Sequence, residues 1–71
     1  DYERLTPRER EVCVWLVKGL LNKDIAIKLG TTDATIKVHK ARVMEKMHAD
    51  SIQTLVKKYL ESDLENHPLT A

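Results

Sequence analysis

The chain has 71 residues, of which 42% are hydrophobic and 32% charged, and its formal net charge at pH 7 is +1. A chain of this length forms one small domain, and an aromatic content of only 4% leaves mostly aliphatic side chains, which suit a core of helices packed on helices. The single cysteine, Cys13, excludes an intramolecular disulfide and a cysteine-rich zinc site, and no apolar run approaches the roughly 20 residues that cross a bilayer.

The first predicted helix has a complete start signal. Thr6 suits the N-cap, Pro7 suits the first helical position, and Glu9 follows Thr6 at the spacing of a capping box. Gly19 favours a helix end, so we predict a helix over residues 7–18. Its inward stripe is predicted to contain Val12, Cys13 and Leu16, with Trp15 at the border.

Two helices joined by a short turn are predicted next. Asn22 is expected to cap a helix over residues 23–29, and Gly30 can adopt the positive φ that ends it. Thr32 is expected to cap a third helix over residues 33–47. So short a connection containing glycine is typical of a helix-turn-helix.

The third predicted helix has two different faces. On a helical wheel, Ile36, Val43 and Met47 share one apolar stripe, which we expect to face the core. Bulky side chains on the opposite face would keep the backbone away from DNA base edges, whereas short and basic ones suit the major groove. That opposite face carries Ala34, Lys37, Val38, Ala41 and Arg42.

A fourth helix is predicted over residues 52–62, with Ser51 as its cap. Its outer face contains leucines beside polar groups, so we predict that two copies of the chain meet there. Residues 1–4 are interpreted as the remnant of a linker, and residues 65–71, which contain Pro68, as a mobile tail. The predicted self-contact consists of Gln53, Lys57, Leu60 and Leu64.

Charge is unevenly distributed along the chain. Residues 20–48 carry six basic and three acidic side chains, whereas residues 49–71 carry two basic and four acidic ones. A polyanion would be attracted to the middle segment. Ordinary solvated surface is the alternative explanation of the same excess.

Several blocks of sequence resemble a known family. In chain order they are LTPREREV at 5–12, GL at 19–20, NKDIA at 22–26, LG at 29–30 and ATIKVH at 34–39. At these spacings they resemble the LuxR-type helix-turn-helix DNA-binding domain of bacterial transcription regulators. The run KARVMEKM at 40–47, followed by Ala49, Ser51, Leu55 and Val56, is similar to the FixJ subgroup of NarL/FixJ-like response regulators. The resemblance covers residues 4–60.

The resemblance implies roles for particular residues. It implies an all-α, four-helix domain over residues 1–71 whose third helix enters the major groove and whose fourth helix forms a dimer on DNA. His48 and Asp50 depart from the family pattern, in which glycine or a basic or amide residue is more usual, and this puts any DNA contact there in doubt. The implied base contacts are Lys37, Val38, Ala41 and Arg42. The implied phosphate contacts are Asn22, Lys23, Thr32, Thr35 and Lys40.

The resemblance also implies partners. These are double-stranded DNA, a second copy of the chain, RNA polymerase and a receiver domain that is absent from this chain, as in an output domain of a two-component system. We expect a cytoplasmic protein that does not contact a membrane and needs no cofactor or metal. Catalysis is not expected, because His39 and Asp33 do not face each other on a helix. A helical protein-interaction module without DNA binding is the alternative interpretation.

Overall fold

The structure is a computed structural model that describes the backbone of residues 2–66 and the side chains of residues 2–62. The predicted all-α, four-helix fold is confirmed, and no strand occurs in the described part of the chain. A 3₁₀ turn at Tyr2–Arg4 precedes the first helix. The four helices are α1 (Pro7–Val17), α2 (Asn22–Leu29), α3 (Asp33–Lys46) and α4 (Ile52–Asn66).

The start of α1 forms the predicted capping box. The Glu9 N–H donates to Thr6 Oγ1 at 3.1 Å, and the Thr6 N–H donates to Glu9 Oε1 at 3.0 Å. The helix ends at Val17, one residue earlier than predicted, because Lys18 already serves as the C-cap. Gly19 then reverses the chain with a φ of +91°.

The predicted start of α2 is wrong. Asn22 is the first helical residue and not the cap; Leu21 holds the N-cap position, with an extended backbone and no side-chain cap hydrogen bond. The Leu21 carbonyl accepts from the N–H groups of Asp24 and Ile25, both at 3.0 Å, so packing and backbone geometry set this start without a polar cap. The first N–H groups of α2 therefore lack a side-chain acceptor.

The turn between α2 and α3 has the predicted chemistry. Gly30 adopts the left-handed conformation with φ of +67°, and the Thr31 N–H donates to the Ala26 carbonyl at 2.9 Å. Thr32 caps α3 by accepting from the Thr35 N–H at 3.1 Å. This confirms a helix-turn-helix with three connecting residues.

The connection from α3 to α4 is one residue longer than predicted, since it consists of residues 47–51 and not 48–51. α3 ends at Lys46, one residue before the predicted end, and His48 takes a left-handed φ of +55°. Ser51 caps α4 as predicted, since its Oγ accepts from the Thr54 N–H at 3.2 Å. α4 continues to Asn66 and not only to residue 62, because no glycine or proline interrupts it earlier.

The core lies between α1 and α3, with α2 packed against α3 and α4 packed against α1. The apolar stripe of α3 is buried as predicted, with Ile36 and Val43 fully buried and Met47 2% exposed. Cys13 is also buried, and burial raises the pKa of its thiol to about 11, so the thiol stays neutral and unreactive at neutral pH. Within the described residues, no helix is both long and apolar enough to cross a membrane. The buried hydrophobic residues are Leu5, Val12, Cys13, Leu16, Ile25, Ala26, Ile36, Val43, Met47, Ala49 and Leu55.

Candidate nucleic-acid interface

The outer face of α3 is exposed over its whole length. It lies opposite the buried Ile36 and Val43, and Val38 remains 52% exposed although it is apolar. Apart from Glu45 in the last turn, the side chains on this face are short or basic, so another molecule can approach the helix backbone closely. All four side chains predicted to contact bases are exposed there, namely Lys37, Val38, Ala41 and Arg42.

An open groove of about 440 Å³ lies beside this face. Its lining contains the first two residues of α2, Asn22 and Lys23, together with Lys40 from α3. These are three of the five side chains predicted to contact phosphate, and the fold brings them together although Lys40 is 17 residues beyond Lys23. Asp33 also lines the groove, so two lysines face one carboxylate there. The uncapped start of α2 adds N–H groups and the positive end of a helix dipole.

The other two predicted phosphate contacts lie at the start of α3. Thr32 and Thr35 are exposed and do not line the groove. Their hydroxyl oxygens are 3.0 Å apart and share a hydrogen bond, while Thr32 Oγ1 also accepts the capping N–H of Thr35. Thr32 Oγ1 thus accepts at the helix start, while one of the two hydroxyl protons is not used in this pair and can be donated to a phosphate oxygen.

A partly buried ion pair that the sequence did not predict joins α1 to α3. Lys46 Nζ donates to Glu9 Oε1 at 2.8 Å, and the Glu9 side chain is only 4% exposed. This hydrogen bond lowers the pKa of Glu9, helped by the Thr6 N–H and by the positive charges of Lys46 and Arg42, while burial opposes the shift. The sequence contained a signal that Glu9 needs a partner. Glu9 lies three residues before Val12 on the inward face of α1, where a carboxylate must be paired.

The basic residues of the middle segment divide between two purposes. Lys46 pairs with Glu9, and Lys28 Nζ lies 4.9 Å from the centroid of the Trp15 ring. Lys18, from outside this segment, contacts the same ring with its Nζ 5.1 Å from the centroid. These cations serve contacts within the fold. The remaining four are on the outer face of α3 or in the groove, namely Lys23, Lys37, Lys40 and Arg42.

The outer face of α4 presents the predicted self-contact surface in part. Gln53, Lys57 and Leu60 are exposed, with Leu60 at 51%. Leu64, the fourth predicted member, lies outside the residues whose side chains are described. Exposed apolar groups also occur elsewhere, since Ile27 on α2 is 78% exposed.

The sequence of this chain is similar to those of known bacterial proteins. The model of the family described as bacterial regulatory proteins, luxR family, matches residues 3–59. The tetrathionate response regulatory protein TtrR of Salmonella typhimurium is 43% identical over 58 residues, which cover 82% of this chain and 28% of that protein. The response regulator protein TodT of Pseudomonas putida is 44% identical over 57 residues, covering 80% of this chain and 25% of TodT.

A relative from the predicted subgroup is also similar. The transcriptional regulatory protein FixJ of Azorhizobium caulinodans is 48% identical over 56 residues, which cover 79% of this chain and 26% of FixJ. The chain spans between a quarter and a third of the length of these curated relatives.

Proposed function

The chain belongs to the luxR family of bacterial regulatory proteins, and we propose that it reads duplex DNA with α3 in the major groove. Membership of this family makes it a DNA-binding transcription regulator and not an enzyme. One observation carries this proposal: α3 buries one face completely and exposes short and basic side chains on the other. A helix of 14 residues is about 21 Å long, so it crosses a groove about 12 Å wide with its middle turns nearest the bases.

Base selection is assigned to the outer face of α3. Lys37 and Arg42 donate hydrogen bonds that suit the O6 and N7 acceptors of guanine. Val38 and Ala41 suit contact with a thymine methyl group, because neither carries a polar group that would be left unpaired. Arg42, one helical turn beyond Val38, is assigned to the wall of the DNA major groove.

Phosphate binding is assigned to the protein groove lined by Lys23 and Lys40 and to the starts of α2 and α3. Lys23 and Lys40 supply charge, and the uncapped N–H groups at the start of α2, near Asn22, supply hydrogen bonds. Thr32 and Thr35 contact DNA phosphates from the start of α3. These contacts position the domain without selecting a sequence.

Two copies are proposed to pair on DNA through Gln53, Lys57, Leu60 and Leu64 of α4. The relatives are named as response regulators, and this chain spans only part of their length. On that basis we assign it the role of an output domain in a cytoplasmic two-component regulator, with a receiver domain and RNA polymerase as further partners.

Selection from a random duplex library, followed by affinity measurements at several salt concentrations, tests DNA binding. We expect enrichment of a defined sequence and a linear fall of log K with log salt, because phosphate contacts release counterions. A protein-interaction module without DNA binding would enrich no sequence and show no such dependence. That result would contradict the proposal.

A further inference from the structure

The last turn of α3 carries a charge that opposes the proposed DNA contact. Glu45 is exposed and follows Ala41 by four residues and Val38 by seven, so it lies on the face assigned to bases. On the premise of the proposed function, we propose that Glu45 faces a DNA phosphate and limits the affinity of a single copy for any duplex.

The neighbouring cation does not compensate this charge. Lys46 directs its ammonium towards α1, where it donates to Glu9 at 2.8 Å. Glu45 forms no ion pair with any residue whose side chain the structure describes, Arg42 included. The last turn of α3 therefore presents a carboxylate on its outer face and turns its lysine inward.

With α3 docked as proposed, this carboxylate lies at the level of the DNA phosphates. Each residue advances about 1.5 Å, so Glu45 lies about 6 Å beyond Ala41 along the axis. With Lys37 to Ala41 over base edges in a groove about 12 Å wide, the next turn lies at the groove edge, where the backbone runs. A carboxylate there repels phosphate through water and weakens binding roughly two- to fivefold.

This repulsion acts on every sequence alike, because the backbone is uniform. It lowers the affinity of one copy for a half-site without changing which half-site is preferred. Full occupancy then depends on a second copy, which α4 is proposed to supply.

The test compares Glu45→Gln with the wild-type chain on a selected single half-site and on a random duplex of equal length. We expect binding roughly two- to fivefold tighter on both duplexes. Glu45→Lys should add a phosphate contact and steepen the salt slope by about one unit. Glu11→Gln, the same charge change at an exposed position on α1, should leave both affinities unchanged.

Thermal unfolding should show that the variants remain folded. Unchanged affinity of Glu45→Gln on both duplexes would overturn the inference. So would weaker binding to the selected half-site alone, because Glu45 would then be accepting a hydrogen bond from cytosine. In both cases, salt-dependent binding by the wild-type chain would leave the proposed function intact. Absence of DNA binding by the wild-type chain would overturn both proposals.

Discussion

Lys23 and Lys37 are both exposed lysines, yet their positions give them different expected roles. Lys23 lines the groove at the start of α2, whereas Lys37 is on the outer face of α3. Lys37→Ala should cost roughly 1 to 3 kcal/mol on the selected site and much less on random DNA, because a base contact carries sequence information. Lys23→Ala should weaken both by similar factors and make the salt slope shallower by about one unit.

Affinities on the two duplexes at four or more salt concentrations separate these roles. Lys28→Ala is the matched control. Lys28 contacts the Trp15 ring, and its substitution removes one positive charge outside both the groove and the outer face of α3. Equal losses on both duplexes for Lys37→Ala would make Lys37 a backbone contact. An unchanged slope for Lys23→Ala would remove Lys23 from the phosphate contacts.

Single-residue burial was predictable where helix periodicity determines it. Ile36 and Val43 are buried and Lys37 exposed, as the wheel predicts. The partner of Glu9 was not predictable, because Lys46 is 37 residues away and only the packing of α1 on α3 brings the two together. A helical wheel predicts the face on which a side chain lies, but not the residues of other helices that it contacts.

At the scale of helices, the Glu9–Lys46 pair fixes the start of α1 to the end of α3. The same Glu9 oxygen accepts from the Thr6 N–H and from Lys46 Nζ, so one carboxylate both caps a helix and joins two helices. Through this contact α1 supports the helix that carries the proposed base contacts.

Glu9→Gln should lower the free energy of unfolding by roughly 1 to 3 kcal/mol at neutral pH, because Lys46 loses a charged acceptor while the capping hydrogen bond can persist. Glu11→Gln should cost at most about 1 kcal/mol, since its partner Arg8 is 3.8 Å away at an exposed surface. Urea unfolding of both variants measures the difference. Equal costs would show that the Glu9–Lys46 pair contributes no more than the exposed Arg8–Glu11 pair.

The pH dependence of this pair has a definite sign. Folding lowers the pKa of Glu9 from its ordinary 4.5, so the stabilisation is complete above that value and is lost as the pH falls through the folded pKa. Glu9→Gln should remove this part of the acid dependence. Identical acid dependence in the variant and the wild type would contradict the assignment.

Helix ends followed the sequence where local chemistry decides them. Gly30, Thr32 and Ser51 act as predicted, because left-handed glycine and hydroxyl caps are local effects. The start of α2 was mispredicted because Asn22 has the type of a cap residue, yet the burial of Ile25 draws the helix start one residue earlier. His48 adopts a left-handed φ of +55°, which the sequence pattern did not predict.

At the scale of the whole molecule, the distribution of exposed groups determines which surfaces another molecule can use. The sequence located the excess of positive charge in residues 20–48 but could not show that Lys28 and Lys46 are held within the fold. Nor did it predict the exposure of Ile27. Such outcomes depend on how the helices pack and not on local pattern.

Pairing on DNA should depend on Leu60. Because Leu60 is 51% exposed, Leu60→Asp should leave folding and single half-site binding nearly intact while abolishing cooperative occupancy of a full site. The full site should contain two half-sites centred about 10 base pairs apart, as two-fold symmetry requires. Binding isotherms on single and double half-sites measure this, with Leu60→Met as the conservative control. Cooperativity that survives Leu60→Asp would exclude this surface as the contact.

The central claim, that α3 reads DNA from the major groove, is tested most directly by dimethyl sulfate footprinting on the selected site. This reagent methylates guanine N7 in the major groove and adenine N3 in the minor groove. The bound chain should protect guanine N7 positions within each half-site and leave adenine N3 reactive. Protection of adenine N3 with fully reactive guanine N7 would place the protein in the minor groove and contradict the account.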